Sequence, residues 1–208
     1  MKKSTAVLLI LLAGIGFLLP ELWDRLRGPT QPLLDSATVA QLARPDLPAI
    51  GSARPDVTIV LFTDYRCGVC RRTEAALAEV MAADPGIRLV YRDWPILGPA
   101  SLDAARAALA SRPQGGYPRF HHALMAAPNP LDPARIAAVA RRSGVDPIRL
   151  ARDAAAGAHA IDATLAETGR LALSLGLPGT PGLVIGRQPY AGGMDAAQIR
   201  RAVAEARG

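Results

Sequence analysis

The order of apolar and polar positions predicts an α/β domain. Apolar residues fill almost every position of 57–62, which is typical of a central strand buried on both faces. Residues 67–83 then place apolar side chains at helical spacing, and the Asp-Pro-Gly turn at 84–86 ends that helix. Residues 87–91 alternate as a second strand does. The first half of the domain is therefore predicted to be strand, helix, strand.

The second half begins with a purely helical region. Residues 101–175 show only helical patterns, and the first of these helices is predicted to be capped by Ser101. Asp132-Pro133 and Asp146-Pro147 each place a capping aspartate before a first-turn proline, which is typical of a helix start. Strand character returns at 183–185, before a short edge strand and a closing helix that begins at Asp195.

The N-terminus has the pattern of a membrane-targeting segment. Lys2 and Lys3 precede the uncharged apolar residues 5–19, so residues 1–23 are predicted to be a signal peptide or a membrane anchor. The run is somewhat shorter than the about 20 residues that span a bilayer. An Ala-x-Ala cleavage motif is missing and Gly14-Ile15-Gly16 is its nearest substitute, which favours an uncleaved anchor.

Prolines and glycines interrupt residues 24–52, which we interpret as a linker with a short helix capped by Ser36. Residues 53–208 then form the predicted domain, with a helical insertion over about 101–160. We expect the N-terminal segment to export this domain to an extracytoplasmic, periplasm-like compartment and to hold it at the membrane.

Composition narrows the classes of function. Of the 208 residues, 50% are hydrophobic and 20% are charged, which suits a folded domain with a large core. The net charge of +6 comes mostly from arginines spread along the chain rather than from a basic block. Such a surface is not a nucleic-acid footprint, so we expect no nucleic acid among the partners.

The chain has only two cysteines, and they are two residues apart. Cys67 and Cys70 stand between a predicted strand and a helix start, which is the sequence form of a redox-active dithiol. A helix N-terminus would stabilise the thiolate of Cys67, and Arg66 and Arg71 would add to this if they point toward it. Cys70, one turn into the helix, would be shielded and would resolve mixed disulfides.

Two other interpretations of the cysteines stay open. A structural disulfide would close a very small loop and would constrain the unfolded chain little. A zinc site needs four ligands, and the spacing of His121, His122 and His159 does not require them to join the cysteines. We therefore expect neither a metal nor a cofactor besides the Cys67–Cys70 disulfide.

A second motif lies far along the chain. Thr180 and Pro181 come directly before the predicted strand at 183–185, where a proline is tolerated only at the first position. A cis peptide bond before Pro181 would turn the backbone of Thr180 toward the dithiol, where it could pair with an extended substrate. An ordinary turn proline is the alternative.

Three segments together resemble the DsbA family of exported thiol–disulfide oxidoreductases. They are 62–70 around the cysteines, 91–99 after the second strand, and 179–186 around Pro181. The resemblance covers about residues 50–206 and implies a thioredoxin-like core with a helical insertion. It also implies that Cys67 attacks, Cys70 resolves, and Thr180 and Pro181 dock the substrate.

The resemblance implies that the clients are proteins with cysteine thiols and that a membrane partner reoxidises the enzyme. Strongly oxidising members carry Pro-His between the cysteines, whereas Gly68-Val69 stands here, so a reductase or isomerase of the same fold is the first alternative. A tethered metal-binding module is the second. Asp64 is an auxiliary candidate that would relay a proton to the resolving cysteine, or a helix-entry acid favoured by the helix dipole.

Overall fold

The computed structural model describes residues 33–208. The predicted anchor over 1–23 and the first part of the predicted linker lie outside the described residues. Within 33–208, the helices are too short or too polar to cross a membrane.

A five-stranded sheet forms the centre of the domain. Its strands follow the spatial order β1-β3-β2-β4-β5, and only the β2–β3 pair is parallel. The strands are β1 (Ala49–Gly51), β2 (Val57–Thr63), β3 (Ile87–Asp93), β4 (Gly182–Ile185) and β5 (Gln188–Ala191). The parallel pair is joined through a helix, as a parallel crossover requires.

Eight α-helices surround this sheet within the described residues, and a 3₁₀ turn at Arg112–Gln114 adds to them. They are α1 (Ser36–Leu42), α2 (Gly68–Ala83), α3 (Pro99–Ala110), α4 (Tyr117–Ala126), α5 (Pro133–Arg142), α6 (Pro147–Ala156), α7 (Ala158–Ser174) and α8 (Ala196–Arg207). This is the thioredoxin-like α/β fold that the sequence predicts, with helices between β3 and β4.

The core lies on both faces of the sheet. In β2, Ile59 and Leu61 belong to one apolar cluster, with α2, α8 and the inserted helices, whereas Val60 and Phe62 belong to a second cluster with α1 and α7. Successive strand residues point to opposite faces, so a strand that is covered twice must be apolar throughout. The continuous apolar run thus has the buried position that its pattern predicts.

The described part of the predicted linker is packed against the domain. Leu42 of α1 and Leu47 are buried, and β1 pairs antiparallel with β3. The predicted short helix exists, but its cap is Asp35 rather than Ser36. The sequence pattern indicated a linker because prolines and glycines interrupt this segment. Its two buried leucines, Leu42 and Leu47, nevertheless cover the second face of the sheet.

Most helix boundaries agree with the sequence signals. Asp132, Asp146 and Asp195 each accept a hydrogen bond from a first-turn backbone N–H of the helix that follows them. The predicted Ser101 cap is wrong, because α3 begins two residues earlier with Gly98 at its N-cap. Ser101 lies inside the helix and its hydroxyl donates to the carboxylate of Asp64 instead.

Candidate active site

Cys67 is the N-cap residue of α2. Its sulfur accepts a hydrogen bond from the backbone N–H of Cys70, with 3.2 Å between the two heavy atoms. The sulfur therefore lies at the positive end of the helix dipole, where negative charge is stabilised. The side chain of Val69 beside it is exposed and offers no hydrogen bond.

The two thiols differ in exposure. Both cysteines are free, but Cys70 is completely buried, whereas Cys67 keeps 7% of its surface exposed. Burial, together with a hydrogen bond to the Cys67 side chain, raises the pKa of the Cys70 thiol to about 12. Cys70 is thus the protonated and shielded partner at neutral pH.

The proline loop lies directly against the cysteines. The Thr180–Pro181 peptide bond is cis, and the thiol of Cys67 is 3.4 Å from the carbonyl oxygen of Thr180. The side chain of Thr180 also acts on Cys70, where it opposes the burial and lowers the pKa of the thiol. Although 113 residues of chain separate the two motifs, the fold brings them into contact.

A family model for the DSBA-like thioredoxin domain matches residues 58–204, which include the two cysteines and the proline loop. The chain belongs to this family.

Solved structures show the same relationship. A thioredoxin-like oxidoreductase from Silicibacter pomeroyi is 40% identical, with a TM-score of 0.77 over 83% of this chain and 98% of that chain. The thiol-disulfide exchange protein alpha-DsbA2 from Wolbachia pipientis is 30% identical, with a TM-score of 0.77 over 82% and 92% of the two chains. The first of these structures is described as a thioredoxin-like oxidoreductase and the second as a thiol-disulfide exchange protein.

A curated relative is much longer than this chain. The Na(+)/H(+) antiporter NhaA 3 from Salinispora tropica is 32% identical over 98 residues, which cover 46% of this chain but 15% of that protein. The match therefore concerns a small part of the antiporter.

The arginines around the DSBA-like motif hydrogen-bond to backbone carbonyls. Arg66 donates to Leu97, and Arg71 donates to the carbonyls of Ala127 and Tyr65. None of these bonds is to the sulfur of Cys67. The direct stabilisation of the Cys67 thiolate therefore comes from the helix N-terminus rather than from an arginine contact.

Asp64 fastens a loop to the active-site turn. Its buried carboxylate accepts hydrogen bonds from the backbone N–H groups of Arg66, Ile96 and Leu97 at 2.8–3.0 Å, and from the Ser101 hydroxyl at 2.7 Å. Both carboxylate oxygens are used in these contacts, and none of the contacts reaches the sulfur of Cys70. The carboxylate thus has a positioning role that neither sequence-based interpretation included.

A buried polar cluster, which the sequence pattern does not predict, lies beneath the redox motif. His121 Nε2 is 2.7 Å from a carboxylate oxygen of Glu74, and His121 Nδ1 is 2.7 Å from the hydroxyl of Tyr65. The hydroxyl of Tyr117 donates to both carboxylate oxygens of Asp93. Burial raises the pKa of the Asp93 carboxyl to about 6.

His121 has a hydrogen-bonding role, which its sequence context as a possible metal ligand does not indicate. A proton on Nε2 allows His121 to donate to Glu74 and leaves Nδ1 to accept from Tyr65, so both ring nitrogens have partners in the neutral form. The sequence held one signal, because Glu74 is four residues after Cys70 and a charged residue on that face of α2 must find a buried partner.

Proposed function

We propose that this chain is an extracytoplasmic oxidase that introduces disulfides into client proteins. The observation that carries the proposal is the unequal pair at the start of α2: Cys67 at the N-cap keeps 7% of its surface exposed, whereas Cys70 is fully buried. A client can reach only the first sulfur. The N-terminal targeting pattern at 1–23 supports export to an oxidising compartment.

The reaction follows from this geometry. A client thiolate attacks the sulfur of Cys67 in the oxidised pair, and the bond to Cys70 breaks with its electron pair on the sulfur of Cys70. A second client thiolate then attacks the client sulfur of the mixed disulfide and expels Cys67 as a thiolate. The helix N-terminus stabilises this leaving group, and Cys70 takes up a proton because its thiol is a weak acid in the buried site.

Thr180 and Pro181 are proposed to dock the client. The carbonyl oxygen of Thr180 lies 3.4 Å from the sulfur of Cys67, so a client strand that pairs with this backbone would bring its own cysteine to the attacking sulfur. We further propose that a membrane protein reoxidises the pair. The reduced enzyme must pass the two electrons that it took from a client to another acceptor before it can oxidise a second client.

A trapping experiment tests the roles of the two cysteines. With Cys70→Ser, the thiolate of Cys67 can attack the disulfide of an oxidised client peptide and release one client thiolate. We expect the mixed disulfide to accumulate, because the variant has no second thiol to resolve it. The matched control is Cys67→Ser, which should form no adduct and should not oxidise the client. Equal adduct formation by both variants, or client oxidation that survives Cys67→Ser, would refute the proposed chemistry.

A reductase or isomerase is the alternative that a specific observation favours. Strongly oxidising relatives place a histidine where Val69 offers neither charge nor hydrogen bond, so the thiolate is less stabilised here. Equilibration with glutathione distinguishes the two directions. A reduction potential close to that of thioredoxin, about −270 mV, would favour the reductase, and a value near −120 mV would favour the oxidase. Stoichiometric metal that protects both thiols from alkylation would instead support a metal-binding module.

A further inference from the structure

The polar cluster beneath the redox pair is built from titratable side chains of several elements. It joins the helical insertion to the thioredoxin-like core, because α4 supplies a histidine and a tyrosine while α2, β3 and the turn before α2 supply their partners. Facing the cluster are Glu74 of α2, Tyr65 before α2, Tyr91 and Asp93 of β3, and Tyr117 and His121 of α4, with the Arg71 guanidinium on the Tyr65 carbonyl.

Two residues of this cluster are close to the cysteines along the chain. Tyr65 is two residues before Cys67, and its hydroxyl is hydrogen-bonded to His121. Glu74 is four residues after Cys70 and therefore lies one turn along the same face of α2. Tyr65, Cys67 and Cys70 all belong to one buried cluster, so the two sulfurs and the Tyr65 ring share the same apolar surroundings.

Charges interact strongly across such a region. Glu74 is seven residues beyond Cys67, which corresponds to about 10 Å along the helix at 1.5 Å per residue. At that distance and an effective dielectric constant of about 20, two unit charges shift one another's pKa by about one unit. A thiolate that forms at Cys67 would therefore increase the proton affinity of carboxyl groups in the cluster.

We propose that the buried cluster of Asp93, His121 and Glu74 takes up part of a proton when the Cys67–Cys70 pair is reduced. The cluster thereby makes the pair a stronger oxidant in acid than the cysteines alone would make it. Its residues are positioning residues, since they act on the sulfurs through charge rather than by touching the client. This inference rests on the proposed function, because it requires that the pair exchanges electrons.

The proton and electron balance is as follows. A client dithiol loses two electrons and two protons as it becomes a disulfide. The Cys67–Cys70 disulfide gains the two electrons, Cys70 takes up one proton, and Cys67 leaves as a thiolate. The remaining proton is shared between solvent and the cluster. The share of the cluster is largest near the pH at which Asp93 titrates, and acid therefore favours the reduced enzyme.

The first test is the equilibrium between the full-length protein and glutathione across pH 4.5 to 8. If reduction shifts the titration of the cluster by half a unit to one unit, the reduced-to-oxidised ratio at pH 4.5 exceeds that expected from the cysteines alone by about three- to tenfold. Asp93→Asn keeps an acceptor for the Tyr117 hydroxyl and removes the titration. We expect this variant to lose the extra dependence on pH.

The matched control is His122→Gln, because His122 is the exposed neighbour of His121 on the same helix. We expect its curve to coincide with that of the wild type. Parallel curves for the wild type and Asp93→Asn would overturn the inference while leaving the proposed function intact. A pair that does not equilibrate with glutathione at all would instead overturn the proposed function.

A second measurement does not depend on the stability of a variant. The side-chain NMR signals of Asp93 can be followed with pH in the oxidised and the reduced wild-type protein. We expect the titration curve of Asp93 to move to higher pH on reduction. Identical curves for Asp93 in the two redox states would refute the coupling.

Discussion

Replacement of Asp64 by alanine should both destabilise the domain and impair the use of clients. The carboxylate accepts four hydrogen bonds, from three backbone N–H groups and the Ser101 hydroxyl. A hydrogen bond to a charged group contributes about 1.5–3 kcal/mol, but three of the four donors are only partly buried and can regain water. We therefore expect Asp64→Ala to reduce the free energy of unfolding by about 3–5 kcal/mol rather than by the full sum.

The same substitution should affect the site beside Cys67. Asp64 holds the backbone of Ile96 and Leu97, which are 44% and 42% exposed, and Ile96 lies against Gly179 of the proline loop. Release of this loop should lower kcat/KM for a client protein. The rate with a small disulfide or dithiol reagent should change much less, because such a reagent needs only the sulfur.

Urea unfolding of the reduced protein measures the stability, and stopped-flow oxidation of a client measures the rate. Ser101→Ala is the matched control, since it removes one of the four donors and should cost about 1 kcal/mol. If Asp64→Ala lowers the free energy of unfolding by less than about 1 kcal/mol, the carboxylate does not hold this loop in place. Equal loss of rate with clients and with small reagents would refute the positional argument.

Three further predictions concern the charge and the backbone of the domain. Val69→His places a cation beside the Cys67 thiolate, and we expect about a tenfold shift toward the reduced enzyme, or about 30 mV, in a glutathione titration; an unchanged potential would contradict the reasoning. Burial raises the folded-state pKa of Asp93 from its ordinary value of 3.8 to about 6. The stability that this group contributes is therefore complete below pH 3.8 and is lost as pH rises through 6. Urea unfolding should show Asp93→Asn gaining about 2–3 kcal/mol relative to the wild type between pH 4 and pH 7, and a constant difference would contradict the burial of this carboxyl. Gly51 has φ +92°, and a Cβ there would overlap the backbone of β3, whereas Gly115 has φ +63° with open space around it. Thermal or urea unfolding should show a loss of about 3 kcal/mol or more for Gly51→Ala but about 1 kcal/mol for Gly115→Ala, and equal losses would show that the overlap is relieved.

The local features of the fold could be read from the sequence because each has a short-range cause. The apolar run of β2, the aspartate caps of α5 and α6, and the dithiol at the start of α2 depend on residues close together in the chain. The cis bond before Pro181 was also predicted, from its position at the start of β4 and the presence of the cysteines. In each case the residue type restricts the backbone or satisfies it locally.

The contacts of the site required the tertiary structure. Arg66 and Arg71 stand beside the cysteines in the sequence, yet they donate to backbone carbonyls rather than to a sulfur, and two of these carbonyls, of Leu97 and Ala127, are far along the chain. Asp64 stands at the helix entry, yet its partners include Ile96 and Leu97 about thirty residues later. The direction of a long side chain depends on which acceptors the fold brings within reach, and neighbouring residues do not determine that.

By itself, the sequence determined the order of the elements from β2 onward and the pair of sulfurs that carries the chemistry, because hydrophobic period, capping and cysteine spacing act over a few residues. Only the tertiary structure placed Thr180 on Cys67, packed α1 and β1 against the sheet, and enclosed Glu74, Asp93 and His121 in one cluster. These groups are far apart in the chain, so their meeting, and the burial that raises the pKa of Cys70 and Asp93, arise from the packing of the whole domain.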